Sequence, residues 1–332
     1  MSALRNVVVP LTMLVIGSAL ALAPAVAPIE PARGAATDPV VAAVGDMACD
    51  PADPTFNNGW GTSSRCAERR TSDAMASDTS LQAVLGLGDY QYDCGDASDY
   101  AVSYTPTWGR LDDLMQPVPG NHEYKTGKDA FGSPCPTDND RAAGYFGYFG
   151  AAAHPRTVGH FSFDLGSWHV VALNANCSKS GVGGCGARSA QTTWLKADLA
   201  STTKSCILSF WHQPLWSGTG TGRLRVYRPW WDVLRAAHAD VVLNGHIHNY
   251  QRFAALDPDG TADPANGITE YVVGTGGEQR VSVKRTARPQ PMFWARTFGY
   301  LRMTLQPDGW KAEFVDYRGV VLDSSRGACH AP

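Results

Sequence analysis

Residues Val242–Arg252 read VLNGHIHNYQR, an apolar run that ends in Asn-Gly and is followed by two histidines one residue apart. Side chains two apart in an extended segment share a face, so the imidazoles of His246 and His248 can converge on one point just beyond a strand. A cation is one such point. A His-x-His pair alone decides little; what decides is whether the rest of the chain places similar groups in the same position.

It does so four more times. VVAAVG is followed by Asp46, AVLGLG by Asp89, QPVPG by Asn121 and His122, and CILSFW by His212. Each polar residue has a bland reading by itself: aspartate as a helix cap, asparagine as a turn residue, histidine as a partner at a strand end. Five in one structural position do not. In open α/β sheets ligands bind outside the carboxyl ends of the strands, which would gather these side chains along one rim. Histidines 154, 160, 169, 238 and 330 lack that setting and read as structural or exposed.

Between these runs lie helical stretches: SSRCAERRTSDAMA, TWGRLDDLM, QTTWLKADLA and YRPWWDVLRAAH. HFSFDLG and WHVVALN add strands in the middle, and ITEYVVGTGG, FGYLRMTL and WKAEFVD make the tail strand-rich. Continuous apolar strands alternating with helices predict buried sheets covered by helices. No internal repeat is visible, and no composition break marks a second folded domain.

The chain has 332 residues, 44% hydrophobic and 18% charged, enough apolar material for one large core. Without residues 1–36, which hold Arg5, Glu30 and Arg33, 26 basic face 30 acidic residues. Even the richest stretch, Arg223–Ala237, has only four basic residues in fifteen. That excludes a sequence-independent grip on nucleic acid or on an anionic membrane, both of which need clustered Lys and Arg.

The N-terminus, MSALRNVVVPLTMLVIGSALALAPAVAPIEPARGAATDP, has an early arginine, a long apolar run and an Ala/Pro-rich end. It reads as a secretory signal over residues 1–36 with the cleavage site open, leaving 37–332 as a single domain, secreted or extracytoplasmic and free of the membrane after cleavage. The competing reading is an uncleaved anchor, since Val7–Ala27 is nearly long enough to span a bilayer. Eight cysteines suit an exported chain with up to four disulfides. The loop NANCSKSGVGGCGA invites a Cys177–Cys185 bridge, and pairing the rest in order gives Cys49–Cys66, Cys94–Cys135 and Cys206–Cys329. Zinc binding is the competing use, but no C-x-x-C pair supports it.

Two carboxylates, an amide oxygen and several imidazoles suit Zn, Mn or Fe, and they are too many for one four-coordinate ion. A two-metal centre, with ions about 3.5–4 Å apart, uses them all, and its characteristic work is hydrolysis of phosphate esters. In order, the blocks GD (Asp46), GDYQY (Asp89, Tyr92), GNHE (Asn121, His122), FWHQP (His212) and GHIHNYQR (His246, His248) resemble the calcineurin-like metallophosphoesterases and, within them, the purple acid phosphatases. The resemblance runs from about Val40 to Asp316 and implies a four-layered αββα sandwich, two mixed β-sheets flanked by helices. It implies one ion on Asp46, Asp89, Tyr92 and His248, and another on Asp89, Asn121, His212 and His246, with Asp89 bridging. Asn121 and His122 would meet the substrate, and His122 would touch phosphate oxygens or protonate the leaving group. The implied activity is phosphomonoester hydrolysis of a small phosphorylated substrate by metal-bound hydroxide. A phosphodiesterase or nucleotide-cleaving activity on the same centre, or an extracellular binding module that keeps the fold without catalysis, are the alternatives.

Tyr92 separates subfamilies. Many relatives have Asp-x-His in the first block, where this chain has Asp46-Met47-Ala48. A phenolate at Tyr92 is a hard anionic ligand that favours Fe(III), so the expected pair is Fe(III) with divalent Fe, Zn or Mn. Tyr90, one residue from Asp89, is on the wrong side. Plant-type purple phosphatases carry an N-terminal β-sandwich domain, for which the residues before Asp46 leave no room. They also place further histidines after the block of His212, and WSGTGTGRLRVYRPWW contains none. Arg223, Arg225 and Tyr227 are the candidates there to grip a phosphate. LDPDGTADPANG resembles a calcium loop in its aspartate spacing but lacks the distal Glu and reads as a turn. Tyr250 and Arg252 are expected to support the ligand loop.

Overall fold

The computed structural model describes residues 38–154, 158–219, 225–284 and 286–330; residues 1–36, expected to be a secretory signal, and Arg223 lie outside them. Thirteen strands among these residues form two mixed sheets. The first has six strands in the order β13-β12-β11-β1-β2-β3. Its parallel half is β1 (Val40–Val44), β2 (Ala83–Gly86) and β3 (Met115–Pro117). Its antiparallel half is β11 (Gly299–Gln306), β12 (Gly309–Asp316) and β13 (Val321–Ala328), the strand-rich tail brought back beside β1.

The second sheet has seven strands, β10-β8-β9-β7-β6-β5-β4. Parallel β5 (Trp168–Ala172), β6 (Cys206–Trp211), β7 (Val241–Asn244) and β9 (Ile268–Val273) form its centre. Antiparallel β4 (Phe161–Leu165) closes one edge, and β8 (Tyr250–Leu256) and β10 (Phe293–Ala295) close the other.

Period-2 alternation builds the layers. On β1, Val41 and Ala43 face a core between the sheets that also holds Leu85, Trp168, Leu208 and Met303. Ala42 and Val44 face outward, into a second core with Met75, Tyr100 and Tyr145 under the helices Glu68–Ala76 and Ala143–Phe149. On β6, Leu208 and Phe210 point inward, while Ile207 and Trp211 pack with Leu195, Trp230 and Leu234 of the helices Ala190–Ser201 and Arg228–Ala236. Because both faces of each parallel strand are buried, every residue contributes, each large apolar side chain by about 1.5–3 kcal/mol. The result is the four-layered αββα sandwich.

TWGRLDDLM departs from its helical expectation and winds as a 3-10 helix, Trp108–Leu114. Its apolar residues, Trp108, Leu111 and Leu114, are spaced by three, which lines one face only at three residues per turn. All eight cysteines are bridged: Cys49–Cys66, Cys94–Cys135, Cys177–Cys185 and Cys206–Cys329, leaving no thiolate for zinc. No helix among the described residues is long and apolar enough to cross a membrane.

Candidate metal centre

The polar residues that follow β1, β2, β3, β6 and β7 do not lie along the rim of one sheet. They come from both sheets, three strands of the first and two of the second, and meet where the carboxyl ends face each other. Beyond the strands the loops stay tied: Asp46 N–H donates to Gly88 O at 3.0 Å, Met47 N–H to Asp89 O at 2.9 Å, and Gly45 N–H reaches across to Val273 O at 3.0 Å. Asp46, Asp89 and His246 all adopt left-handed backbone, with φ of 60°, 53° and 66°. Such conformations cost on the order of 1–3 kcal/mol each and persist where surrounding structure over-determines them, as at functional sites. At Gly120 a Cβ would lie 2.1 Å from Asp89 Oδ1, so only glycine lets the Asn121 turn close on that carboxylate.

Two sets of donor atoms result. In the first, the Tyr92 phenol oxygen lies 2.8 Å from Asp46 Oδ1, 2.9 Å from Asp89 Oδ2 and 3.0 Å from His248 Nε2, which is itself 3.0 Å from Asp46 Oδ1. In the second, His212 Nε2 lies 3.0 Å from Asp89 Oδ2, 3.2 Å from Asn121 Oδ1 and 3.3 Å from His246 Nδ1. Asp89 Oδ2 is common to both. One phenol proton cannot satisfy two carboxylates, so the first set is short of positive charge at its centre. Ligands at bond lengths of about 2.0–2.2 Å around one cation are separated by roughly 3 Å, the spacing seen here. The residues therefore fit two metal ions sharing a carboxylate oxygen.

Neighbours aim these atoms. His212 Nδ1 is 2.7 Å from the Leu87 carbonyl and His248 Nδ1 is 3.0 Å from Glu278 Oε2, which turns each Nε2 toward the donor sets. Glu123 accepts the backbone N–H groups of Asp89, Tyr90 and Gly120 at 2.9, 2.8 and 2.6 Å, clamping two of the loops to each other. Burial and then the charge of Asp89 push its carboxyl up to about 7.

Burial works to raise Asp46 and Asp89, but His248 beside the first and His212 beside the second hold both below the usual range. In return the two carboxylates overcome burial and lift His212 to about 9 and His248 to about 10. Burial and the neighbouring His212 charge push His246 down to about 4. Burial, Asp46 and Asp89 push the Tyr92 phenol well above its ordinary value.

His122 stands beside these sets. Its N–H donates to Asp89 Oδ1 at 2.8 Å, its Nδ1 is 2.6 Å from the carbonyl and 2.9 Å from Oδ1 of Asp93, and its ring lies 4.2 Å from that of Tyr92. Burial opposes its charge, but Asp89 and Asp93 raise it to about 8. Asp93 also holds Lys125 Nζ at 2.5 Å. Tyr90 turns away into the aromatic core, its hydroxyl accepting the Val118 N–H.

Other candidates fall elsewhere. Arg225 is exposed and does not line the cleft next to Asn121, whereas Tyr227 is buried there with its hydroxyl 2.9 Å from Ala175 O and 3.1 Å from Gln213 Oε1. Tyr250 and Arg252 do not support the ligand loop: two apart on β8, they share its inward face and both bind Asp323 of β13 at 2.8 Å, joining the two sheets. In LDPDGTADPANG, Asp259 is taken by Arg228 and Asp263 by Arg235, at 2.5 and 2.6 Å. Sequence reading missed the roles of Asp93, Glu123 and Glu278. Glu123 stands in the GNHE block and Asp93 four residues after Asp89; nothing in GTGGEQ signals Glu278.

Known proteins give the same picture. A family model described as calcineurin-like phosphoesterase matches residues 42–250. Purple acid phosphatase 22 of Arabidopsis thaliana is 28% identical over 171 residues, 48% of this chain and 37% of that protein. Purple acid phosphatase 21 of the same plant is 26% identical over 234 residues, 64% of this chain and 49% of that protein. The chain thus spans less than half the length of either relative. A purple acid phosphatase from yellow lupin (Lupinus luteus) seeds shares the fold, with a TM-score of 0.66 at 18% identity over 89% of this chain and 54% of that one. On the match over residues 42–250, this chain belongs to the calcineurin-like phosphoesterase family.

Proposed function

We propose that this chain is an exported phosphatase that hydrolyses phosphomonoesters of small molecules at a dinuclear centre of Fe(III) with divalent Fe, Zn or Mn. The ligands would be Asp46, Asp89, Tyr92 and His248 for one ion and Asp89, Asn121, His212 and His246 for the other. The carrying observation is Asp89 Oδ2, 2.9 Å from the Tyr92 phenol and 3.0 Å from His212 Nε2, the shared corner of both donor sets. The names of the relatives and the family match support the reaction class. Four disulfides support export, with residues 1–36 as the leader and 37–332 as the catalytic domain.

Bound there, the metal pair would polarise a water molecule and offset charge on the phosphoryl oxygens. The chain's own groups do the rest. Asn121 fixes the edge of the centre next to the open cleft. His122, kept protonated by Asp93 and Asp89, supplies a proton to the departing alkoxide, the step that is difficult without a positioned acid. Asp93 holds the ring in the orientation that this transfer needs.

Metal analysis, a visible spectrum and assays with p-nitrophenyl phosphate and its bis-ester test the reading on one purified sample. Two metals per chain including iron, a violet or pink band and a preference for the monoester are expected. A colourless, active protein with two zinc or manganese ions would remove iron, a preference for the bis-ester would make it a diesterase, and a metal-free, inactive protein would overturn the reading.

A further inference from the structure

Beside Asn121 a cleft of about 540 Å³ opens between the turn that follows the ligand and the disulfide loop Cys177–Cys185. Two lysines line it. Lys125 is already held by Asp93. Lys179 has no carboxylate partner among the described residues: its ammonium donates to the Tyr124 carbonyl at 2.9 Å and stands 5.9 Å from the Tyr124 ring. An ammonium has three N–H donors, so two remain for another group.

The position of Lys179 is built in. The Asn176 side chain donates to the carbonyls of Pro119 and Gly120 at 3.3 and 3.1 Å, fastening the disulfide loop to the segment that carries Asn121. The Asn121–Lys125 segment is a turn, with Tyr124 N–H on Asn121 O and Lys125 N–H on His122 O, both at 3.2 Å. Lys179, resting on Tyr124, is therefore held close to the metal ligand Asn121 but outside both donor sets. Asp93 answers Lys125, and among the described residues no carboxylate answers Lys179, so its ammonium is surplus positive charge on the cleft wall. Thr126 and Ser178 add hydroxyls to the same wall.

We propose that Lys179 forms a subsite on this cleft for a second phosphate of the substrate, so that the enzyme prefers small molecules bearing two phosphate groups. This rests on the phosphatase reading: one phosphate sits at the dinuclear centre and is hydrolysed, while the other is gripped by Lys179 and stays on the product. A charge-assisted contact of this kind is worth about tenfold in affinity.

The test compares fructose 6-phosphate with fructose 1,6-bisphosphate in the metal-loaded protein, reading kcat and KM separately. The native protein should favour the bisphosphate by about tenfold or more through KM. Lys179→Met should bring that ratio close to one with the change in KM, Lys179→Arg should retain most of it, and Lys311→Met, which removes a distant exposed charge, should leave it unchanged. No preference in the native protein, or a preference in Lys179→Met as large as the native one, overturns the subsite. If neither ester is cleaved the phosphatase reading fails separately, and calorimetric titration of the same two compounds into native and Lys179→Met protein still decides the subsite by the same ratio.

Discussion

The phenol oxygen of Tyr92 lies 2.9 Å from Asp89 Oδ2, although both residues leave the same short loop after β2. Left-handed backbone at Asp89 folds that loop so that two side chains three residues apart meet at one point. A loop in ordinary extended conformation would send them apart.

Tyr92→Phe removes the oxygen and keeps the ring that packs on His122. The expected outcome is loss of the visible band with protein folding intact, measured by absorption on samples of matched iron content. A variant with unchanged colour would remove Tyr92 from the iron.

Asp89→Asn and His122→Ala should separate binding from turnover. The first loses the shared anionic corner, so metal content and activity fall together. The second keeps about two ions per chain and loses roughly 100-fold or more in kcat, the range typical of a general acid. Full metal retention in Asp89→Asn would contradict the bridging role.

Glu278 Oε2 pairs with His248 Nδ1 at 3.0 Å while its backbone N–H donates to the Asp46 carbonyl at 3.2 Å, so one residue braces two of the proposed ligands. Glu278→Ala should weaken metal binding by about 10–100-fold, as for other carboxylates that orient a ligating histidine. Arg65, its other partner, keeps Asp53 at 2.6 Å, so the loss should appear in metal titrations more than in unfolding.

Glu68, in the first turn of the helix Glu68–Ala76, is fully buried, and neither carboxylate oxygen makes a hydrogen bond of good geometry. Burial pushes its carboxyl from the ordinary 4.5 up to about 8. Between those values the folded chain keeps a proton that the unfolded chain has released, so stability falls as pH rises through this window. Glu68→Gln removes the titration. Urea unfolding should find it more stable than the native protein by roughly 2–4 kcal/mol above pH 8, with the gap closing toward acid. A difference that does not vary with pH would contradict this.

The sequence alone determined the layered α/β architecture and pointed to the candidate donor residues, because both are written in local pattern. Five of the proposed ligands follow a strand-like run, so Asp46, Asp89, Asn121, His212 and His246 could be named from their neighbours. Disulfide order followed the chain as well. What the tertiary structure decided is where those strand ends meet. Two sheets packed face to face through the core of Val41, Leu208 and Met303 bring the ends of β2 and β6 together, and only then can Asp89 face His212. Roles that depend on contact across the fold were invisible for the same reason. Glu278 reaches His248 from a loop with no motif, Tyr250 and Arg252 spend their polar atoms on Asp323 of the other sheet, and Lys179 acquires a cleft because Asn176 ties its loop to Gly120. Periodicity records which face of an element is buried; it holds no record of which distant segment buries it.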